Sequence, residues 1–270
     1  MEQRYHEEAE LTRIIAARLP ADAKDAKLHV FDTVTSTNDL LRDAAEQGAP
    51  EFTVYAARQQ TAGKGRQGRQ FYSPPQSGLY LSMLLRPQIG AADVLALTPM
   101  AAVAAAEAVE QCSGQQVQIK WVNDLLLHEK KICGILAEAK FSADSVPEYV
   151  IVGIGINLTA PKGGFPKELQ EIAGAVYPHG TAPENAFAES AAALTAALLR
   201  QYRNLPQKGY LSGYRERLCV LGRPITVNEN GIERPATALA VDDDLRLLVR
   251  YDDGTEQWRS TGEIRIKLRK

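Results

Sequence analysis

Residues 58–69 read Arg-Gln-Gln-Thr-Ala-Gly-Lys-Gly-Arg-Gln-Gly-Arg, placing four cations and three glycines in twelve positions with no acid among them. Glycine lets a backbone turn tightly and approach a ligand closely, while Lys64, Arg66 and Arg69 bring positive charge and rigid donor forks. A loop of this composition suits a phosphate or a carboxylate. A solvated basic turn would leave the glycine spacing without a purpose.

The stretch Gly63-Lys64-Gly65-Arg66-Gln67-Gly68 matches the dinucleotide pattern G-x-G-x-x-G, a weak signal until its context is read. A strand precedes it, since Phe52 to Ala57 is apolar and rich in β-formers. No helix follows, because Ser73-Pro74-Pro75 blocks one and Leu79 to Leu85 reads as another strand. Without a helix N-terminus to hold pyrophosphate, the dinucleotide reading fails. A nucleotide P-loop fails too, for want of Gly-Lys-Ser/Thr at the required spacing. The loop joins two strands, and its own cations must neutralise the anion.

Other residues of chemical interest lie in short groups. Ser36-Thr37-Asn38 offers two hydroxyls and an amide at a helix start, which serves equally as a cap or as a set of ligand donors. Lys120-Trp121-Val122-Asn123-Asp124 ends a strand in an indole and then sets an amide beside a carboxylate, although Asn-Asp is also ordinary turn chemistry. Lys131 opens a strand interrupted by Gly134, and Gly153-Ile154-Gly155-Ile156-Asn157 repeats the device. Glycine weakens a strand and often marks a close approach, so these three glycines suggest a flat ligand against the sheet; tight packing would explain each one separately.

The elements that must position these groups follow from periodicity and stop signals. Helices are expected over Leu11–Leu19, Asp39–Gln47, Asp93–Cys112 and Asn185–Tyr202, with a shorter one within Gly209–Leu218. Strands are expected over Leu28–Val34, Phe52–Ala57, Leu79–Leu85, Val117–Trp121 and Tyr149–Leu158. A hairpin of Leu125–Leu127 and Ile132–Ala139 should turn around His128-Glu129-Lys130-Lys131. Residues 159–183 read as a Pro/Gly-rich loop. From Leu221 onward, turn signals at Asn228–Gly231, Asp242–Asp244 and Asp252–Gly254 divide the tail into five short strands, a small barrel. The expected organisation is an N-terminal helical extension (1–27), a ligand-binding domain (28–220) and a small β-domain (221–270).

The chain has 270 residues and a formal net charge of −2, so no global field favours nucleic acid or a membrane surface and the basic loop is a local site. Three cysteines lie far apart without a Cys-x-x-Cys, which argues against structural disulfides or zinc. Met1 to Glu8 is too polar for a signal peptide, and the most apolar helical run, Val94–Val109, is shorter than a membrane span. A cytoplasmic protein is expected.

Together, Ser36-Thr37-Asn38, Gln60 to Arg66, Lys120-Trp121-x-Asn123-Asp124, Lys131-x-x-Gly134-Ile135-Leu136 and Gly153-x-Gly155-Ile156-Asn157 resemble, in content and order, the biotin–protein ligases. The resemblance runs from about Leu28 to Lys267 and is to the short form without a winged-helix DNA-binding domain. It implies an α+β fold, a mixed β-sheet with packed helices as in class II synthetase-like biotin and lipoate ligases, followed by a small SH3-like barrel. It also implies ATP-dependent adenylation of biotin and transfer to one lysine of a biotin carboxyl carrier domain, such as that of acetyl-CoA carboxylase. Magnesium would accompany ATP, with no dedicated protein metal site.

By the same resemblance, Ser36, Thr37, Asn38, Gln60, Lys64, Gly65, Arg66, Lys131, Gly134, Gly153 and Gly155 should contact biotin. Lys64, Arg66, Phe71, Asn123, Asn157, Glu263 and Lys267 should serve ATP and the adenylate. Lys131, Arg66 and Asp124 are the expected catalytic residues, with Asp124, taken as exposed, positioning or accepting the acceptor lysine's proton. Lys64 stands where arginine is common in the family, Phe71 where tryptophan is frequent and Val122 where proline is common. The expected partners are the carrier domain, biotin and ATP, without nucleic acid or membrane; a homodimer stays open. The rival readings are a lipoate or octanoate ligase or transferase of the same fold, and a biotin-sensing transcriptional regulator.

Overall fold

The computed structural model describes residues 2–229, 231–260 and 262–266, with the backbone alone for 2–4, 229, 263, 265 and 266. Its first half runs α1 (Glu2–Arg18), β1 (Lys27–Val34), α2 (Thr37–Glu46), β2 (Thr53–Gln60), β3 (Gly78–Leu85), α3 (Leu97–Ser113), β4 (Gln118–Lys120), β5 (Asp124–Leu127), β6 (Lys130–Phe141) and β7 (Pro147–Asn157). These strands form one seven-stranded sheet in the order β1-β2-β3-β7-β6-β5-β4. Only β1 and β2 pair in parallel, joined by α2 as the crossover that a parallel pair requires.

All eight positions of β3 are buried, so this central strand is covered on both faces. On one face the apolar residues of β3, β6 and β7 meet α3 and α4 (Ala186–Arg203), whose alanines let the helices approach closely. On the other face, α2 packs Leu41 and Ala45 onto Leu84, Tyr149 and Ile151. The helix covers only that end of the face. The other end is where the glycines fall.

Several expectations shift. α1 reaches back to Glu2 because its polar half has work at the sheet edge: Val30 N donates to Thr12 Oγ1 at 3.1 Å and Asp32 N to Glu8 Oε1 at 2.9 Å. The expected helix from Asp93 begins as a 3₁₀ stretch, Ala91–Ala96, and becomes α-helical at Leu97. The combined Ala91–Ser113 segment, 23 residues, is long and apolar enough by length and composition to cross a membrane, contrary to the shorter run expected. Most of it is buried in the core instead. The β5–β6 turn is tighter than expected: only His128 and Glu129 separate the strands, both in the left-handed region at φ 50° and 63°.

After α4 and the short α5 (Tyr210–Arg217), the tail forms β8 (Pro224–Glu229), β9 (Ile232–Val241), β10 (Leu247–Tyr251), β11 (Glu256–Arg259) and β12 (Glu263–Ile266). They make an antiparallel sheet in the order β11-β10-β9-β8-β12, consistent with the small SH3-like barrel expected. Trp121 links the two sheets: its buried indole Nε1 donates to Leu245 O at 2.8 Å. The neighbouring Trp121–Val122 peptide is cis.

Candidate functional site

Strand register builds the floor. Tyr80 of β3 pairs with Gly155 of β7, Gly155 with Gly134 of β6, Gly134 with Asp124 of β5, and Asp124 with Lys120 of β4. One row across five strands thus carries a phenol, two glycines, a carboxylate and an ammonium group. The adjacent row on the same face is Ser82, Gly153 and Leu136. Side chains alternate across a strand, so all of these point to one side of the sheet.

Lys131 should face the other side, because it stands three positions from Gly134. It does not, because β6 holds an extra residue: Leu125 pairs with Cys133 and Leu126 with Lys131, which leaves Ile132 unpaired in the register. A bulge of this kind re-aims a side chain. Lys131 Nζ accordingly lies 2.7 Å from Asp124 Oδ1, and Lys120 Nζ lies 3.8 Å from Asp124 Oδ2. Residues of the 159–183 loop clamp the bulge from outside: Lys131 N donates to Ile172 O at 2.7 Å, and Gly174 N donates to Lys131 O at 2.9 Å. Asp124 was expected to be exposed. Its side chain is only 16% exposed, because it sits beneath the two lysines.

The opposite end of the floor is polar and dry. Ser36 is the N-cap of α2, its hydroxyl accepting from Asp39 N at 3.4 Å. Thr37 and Asn38, expected to precede the helix, are its first two residues. Thr37 N donates to Gln60 Oε1 at 2.8 Å, and Asn38 Nδ2 donates to Glu138 Oε2 at 2.7 Å. Ser82 Oγ lies 2.6 Å from Asn38 Oδ1 and 2.7 Å from Thr37 Oγ1. A Cβ on Gly153 would overlap the Asn38 amide, so a protein side chain makes the close approach at this glycine, not a ligand directly.

The glycine loop folds over the row. Phe71 N donates to Gly63 O at 2.9 Å and Gly65 N to Arg69 O at 2.7 Å, closing it on itself. Gly63 is required because a Cβ there would stand 2.7 Å from Phe71 O, and Gly68 because its φ is +73°. Arg66 Nη1 donates to Asn123 Oδ1 at 3.0 Å, and Asn123 is stitched to β6 through its Nδ2 and Ile135 O, also 3.0 Å. Lys64 Nζ donates to Asp39 Oδ1 at 2.5 Å; Arg42 also pairs with that carboxylate. The Phe71 ring lies flat on the floor: Cβ atoms on Gly155 and Gly134 would meet it at 2.8 and 3.1 Å. It meets Tyr80 edge-on at 6.2 Å between centroids, and Lys131 Nζ is 5.9 Å from its centre. Burial pushes the Tyr80 hydroxyl up to about 12.

Two clefts share this floor. The narrow one, about 50 Å³, is lined by Ser36, Thr37, Asn38 and Gln60 at one end, where Lys64 reaches Asp39, and by Arg66 and Lys131 at the other, over Gly134, Gly153 and Gly155. The wide one, about 490 Å³, opens past Phe71 toward Lys120, Arg69, Arg223 and the start of β12. Gly65, Arg66, Phe71, Asn123 and Lys131 border both. Ligand cavities typically hold roughly 300–1,000 Å³, so the wide cleft admits a nucleotide-sized group as it stands. The narrow one requires Phe71 and the loop to move. Among the described residues no group of three or more His, Cys, Asp or Glu side chains is placed to hold a metal ion.

The structure thus gathers Ser36, Thr37, Asn38, Gln60, Lys64, Gly65, Arg66, Phe71, Asn123, Lys131, Gly134, Gly153 and Gly155 around the narrow cleft, with Asp124 lining the wide one. Asn157 lines neither: its Nδ2 donates to Gly174 O at 2.9 Å, holding the clamp loop. The backbone of Glu263 belongs to β12, but its side chain and Lys267 lie outside the described residues. Sequence reasoning missed Tyr80, Ser82 and Glu138. The available signal was two hydroxyls, Tyr80 and Ser82, in the wholly buried run of β3 and one acid in an apolar stretch of β6.

Comparison with known proteins gives a consistent set of likenesses. Residues 30–157 match the model of the biotin/lipoate A/B protein ligase family. A bifunctional ligase/repressor BirA of Bacillus subtilis (strain 168) is 42% identical over 155 residues, which are 57% of this chain and 47% of that protein. The match therefore spans about half the length of that relative. A biotin–acetyl-CoA-carboxylase ligase of Paracoccus denitrificans is 33% identical over 215 residues, covering 74% of this chain and 85% of the other. In fold, the chain is similar to the biotin protein ligase from Aquifex aeolicus in complex with biotin and ATP, with a TM-score of 0.70, 23% identity, and coverage of 89% of this chain and 98% of that one.

Proposed function

The chain belongs to the biotin/lipoate A/B protein ligase family, and from that premise we propose that it adenylates biotin with ATP and transfers it to the acceptor lysine of a biotin carboxyl carrier domain. The observation that carries this reading is the row across the sheet. A flat glycine floor joins a cluster of hydroxyls and amides at one end to Lys131 and Arg66 at the other. A ligand with a polar ring and an acid tail fits that polarity.

In this reading, Ser36, Thr37, Asn38 and Gln60 hold the ureido ring, and the tail crosses Gly153, Gly155 and Gly134. The biotin carboxylate then meets the α-phosphate at the boundary between the clefts. Bringing two anions together is the electrostatic cost of the step, and donors fixed where charge accumulates offset it. Lys131 and Arg66 border both clefts and supply those donors. Magnesium bound to the ATP phosphates would neutralise part of their charge. Asn157, which lines neither cleft, acts only through the clamp loop that it holds at Gly174, and Phe71 separates the two ligand halves. Loop closure keeps water from the mixed anhydride.

Asp124 acts here by holding Lys131 and Lys120 in place. We assign 28–220 to this chemistry, 221–270 to the β-domain and 1–27 to the helical extension, and we infer a cytoplasmic setting, where ATP and carrier domains meet. The test is to incubate protein, ATP, Mg²⁺, biotin and a carrier domain. Covalent biotin on a single carrier lysine is the expected result; modification by lipoate or octanoate instead would favour the rival reading within the family.

A further inference from the structure

We propose that Glu138, which lines neither cleft, sets the hydrogen-bond pattern at the polar end and thereby selects a cyclic urea over ligands that lack a ring N–H. The inference rests on the biotin reading and deepens it.

A carboxylate only accepts hydrogen bonds. With Glu138 Oε2 at 2.7 Å, the Asn38 amide must turn its nitrogen toward the acid and its oxygen toward Ser82. Arg42 Nη1, 3.7 Å from Glu138 Oε1, steadies the carboxylate from the other side. Asn38 Oδ1 is then an acceptor facing Ser82 Oγ at 2.6 Å, Ser82 Oγ faces Thr37 Oγ1 at 2.7 Å, and Thr37 Oγ1 faces Gln60 Oε1 at 3.1 Å. Three oxygen–oxygen contacts are served by two hydroxyl protons, those of Ser82 and Thr37. One contact always lacks its proton.

Water does not supply it from behind. Ser82 is fully buried, and Thr37 and Asn38 are 3% and 5% exposed. Unpaired buried acceptors are costly, so the shortage is relieved from the cleft, which Thr37 and Gln60 border. A urea N–H brings the missing proton. A hydrocarbon or dithiolane tail brings none. Were Glu138 absent, only the long contact from Asn38 Nδ2 to Leu136 O, 3.5 Å, would oppose a turn of the amide, which could then donate to Ser82 and remove the shortage and the preference with it.

The experiment compares binding of biotin with a cyclic carbamate analogue, in which oxygen replaces one ring N–H, by calorimetry on the full chain. The wild type should prefer biotin about tenfold, the effect of one hydrogen bond. Glu138→Ala should lose most of that preference with its melting temperature nearly unchanged, and Glu138→Gln should keep it, since its carbonyl still accepts from Asn38. Glu138→Asp, one methylene shorter, should also narrow the preference and serves if the alanine variant does not fold. A preference unchanged in both Ala and Asp variants, or two ligands weakened in equal proportion, overturns the proposal. Tight biotin binding without any preference in the wild type overturns it alone. Failure of the wild type to bind biotin removes the functional reading as well.

Discussion

Replacing Lys131 with alanine is expected to slow adenylate formation by about 10²- to 10³-fold, the range found when one fixed donor to developing charge is removed. The group is singular in this site. A bulge at Ile132 swings it onto the ligand face, and two backbone hydrogen bonds from the 159–183 loop hold the bulge. Its side chain is about one-third exposed, so its loss leaves no cavity in the core and the fold should survive. Asp124 would keep Lys120, 3.8 Å away, as its remaining cation. Transfer from chemically supplied biotinyl-adenylate should suffer less, because the donor's main task is finished once the anhydride exists. Single-turnover measurement of both half-reactions separates the two. Normal adenylation in the variant would reduce Lys131 to a counter-ion for Asp124.

Two glycine substitutions should part company although they stand two residues apart on one strand. In Gly153→Ala the new Cβ overlaps the Asn38 amide at the rigid start of α2, so the helix must shift and the buried hydroxyl cluster comes apart. Overpacking of this sort costs about 1–3 kcal/mol, and biotin binding should fall below detection along with a drop of several degrees in melting temperature. In Gly155→Ala the nearest atoms, at 2.8 Å, belong to the Phe71 ring, which sits on a loop and can rotate away. That variant should melt near the wild type while closing poorly over its ligands, giving faster loss of adenylate. Equal melting curves for both variants, or a large destabilisation confined to Gly155→Ala, would contradict this account of the floor.

Much of the site could be read in the sequence because it sits where composition departs from what strands and helices need. Glycines in β6 and β7, and a run of cations without acids, have no purpose in a core, and they coincide with the floor and the loop that line the narrow cleft. The separate strands of the sheet and the five of the tail followed from alternation and turn residues, while their union in one mixed sheet came from the family resemblance. The bulge did not. Lys131-Ile132-Cys133-Gly134 carries no residue that demands an irregular strand, and plain alternation would send Lys131 and Gly134 to opposite faces. The burial of Asp124 was hidden for the same reason, since its cover depends on where Lys131 points. Ser82 and Glu138 were missed because their partners are more than forty residues away in sequence, and only register brings them to Asn38. The Phe71 ring, expected to serve the adenylate, borders both clefts and rests on the glycines, because the loop folds back on Gly63 and the floor has no side chains to keep it off.

The central claim is that this face of the sheet activates biotin before any acceptor is present. Biotin-dependent exchange of labelled pyrophosphate into ATP, measured on purified protein with Mg²⁺ and no carrier domain, tests it most directly. Exchange that requires biotin, saturates with it and is lost in Lys131→Ala is the result the account predicts. A folded protein that exchanges no pyrophosphate with biotin, or does so with lipoate or octanoate in its place, would contradict it.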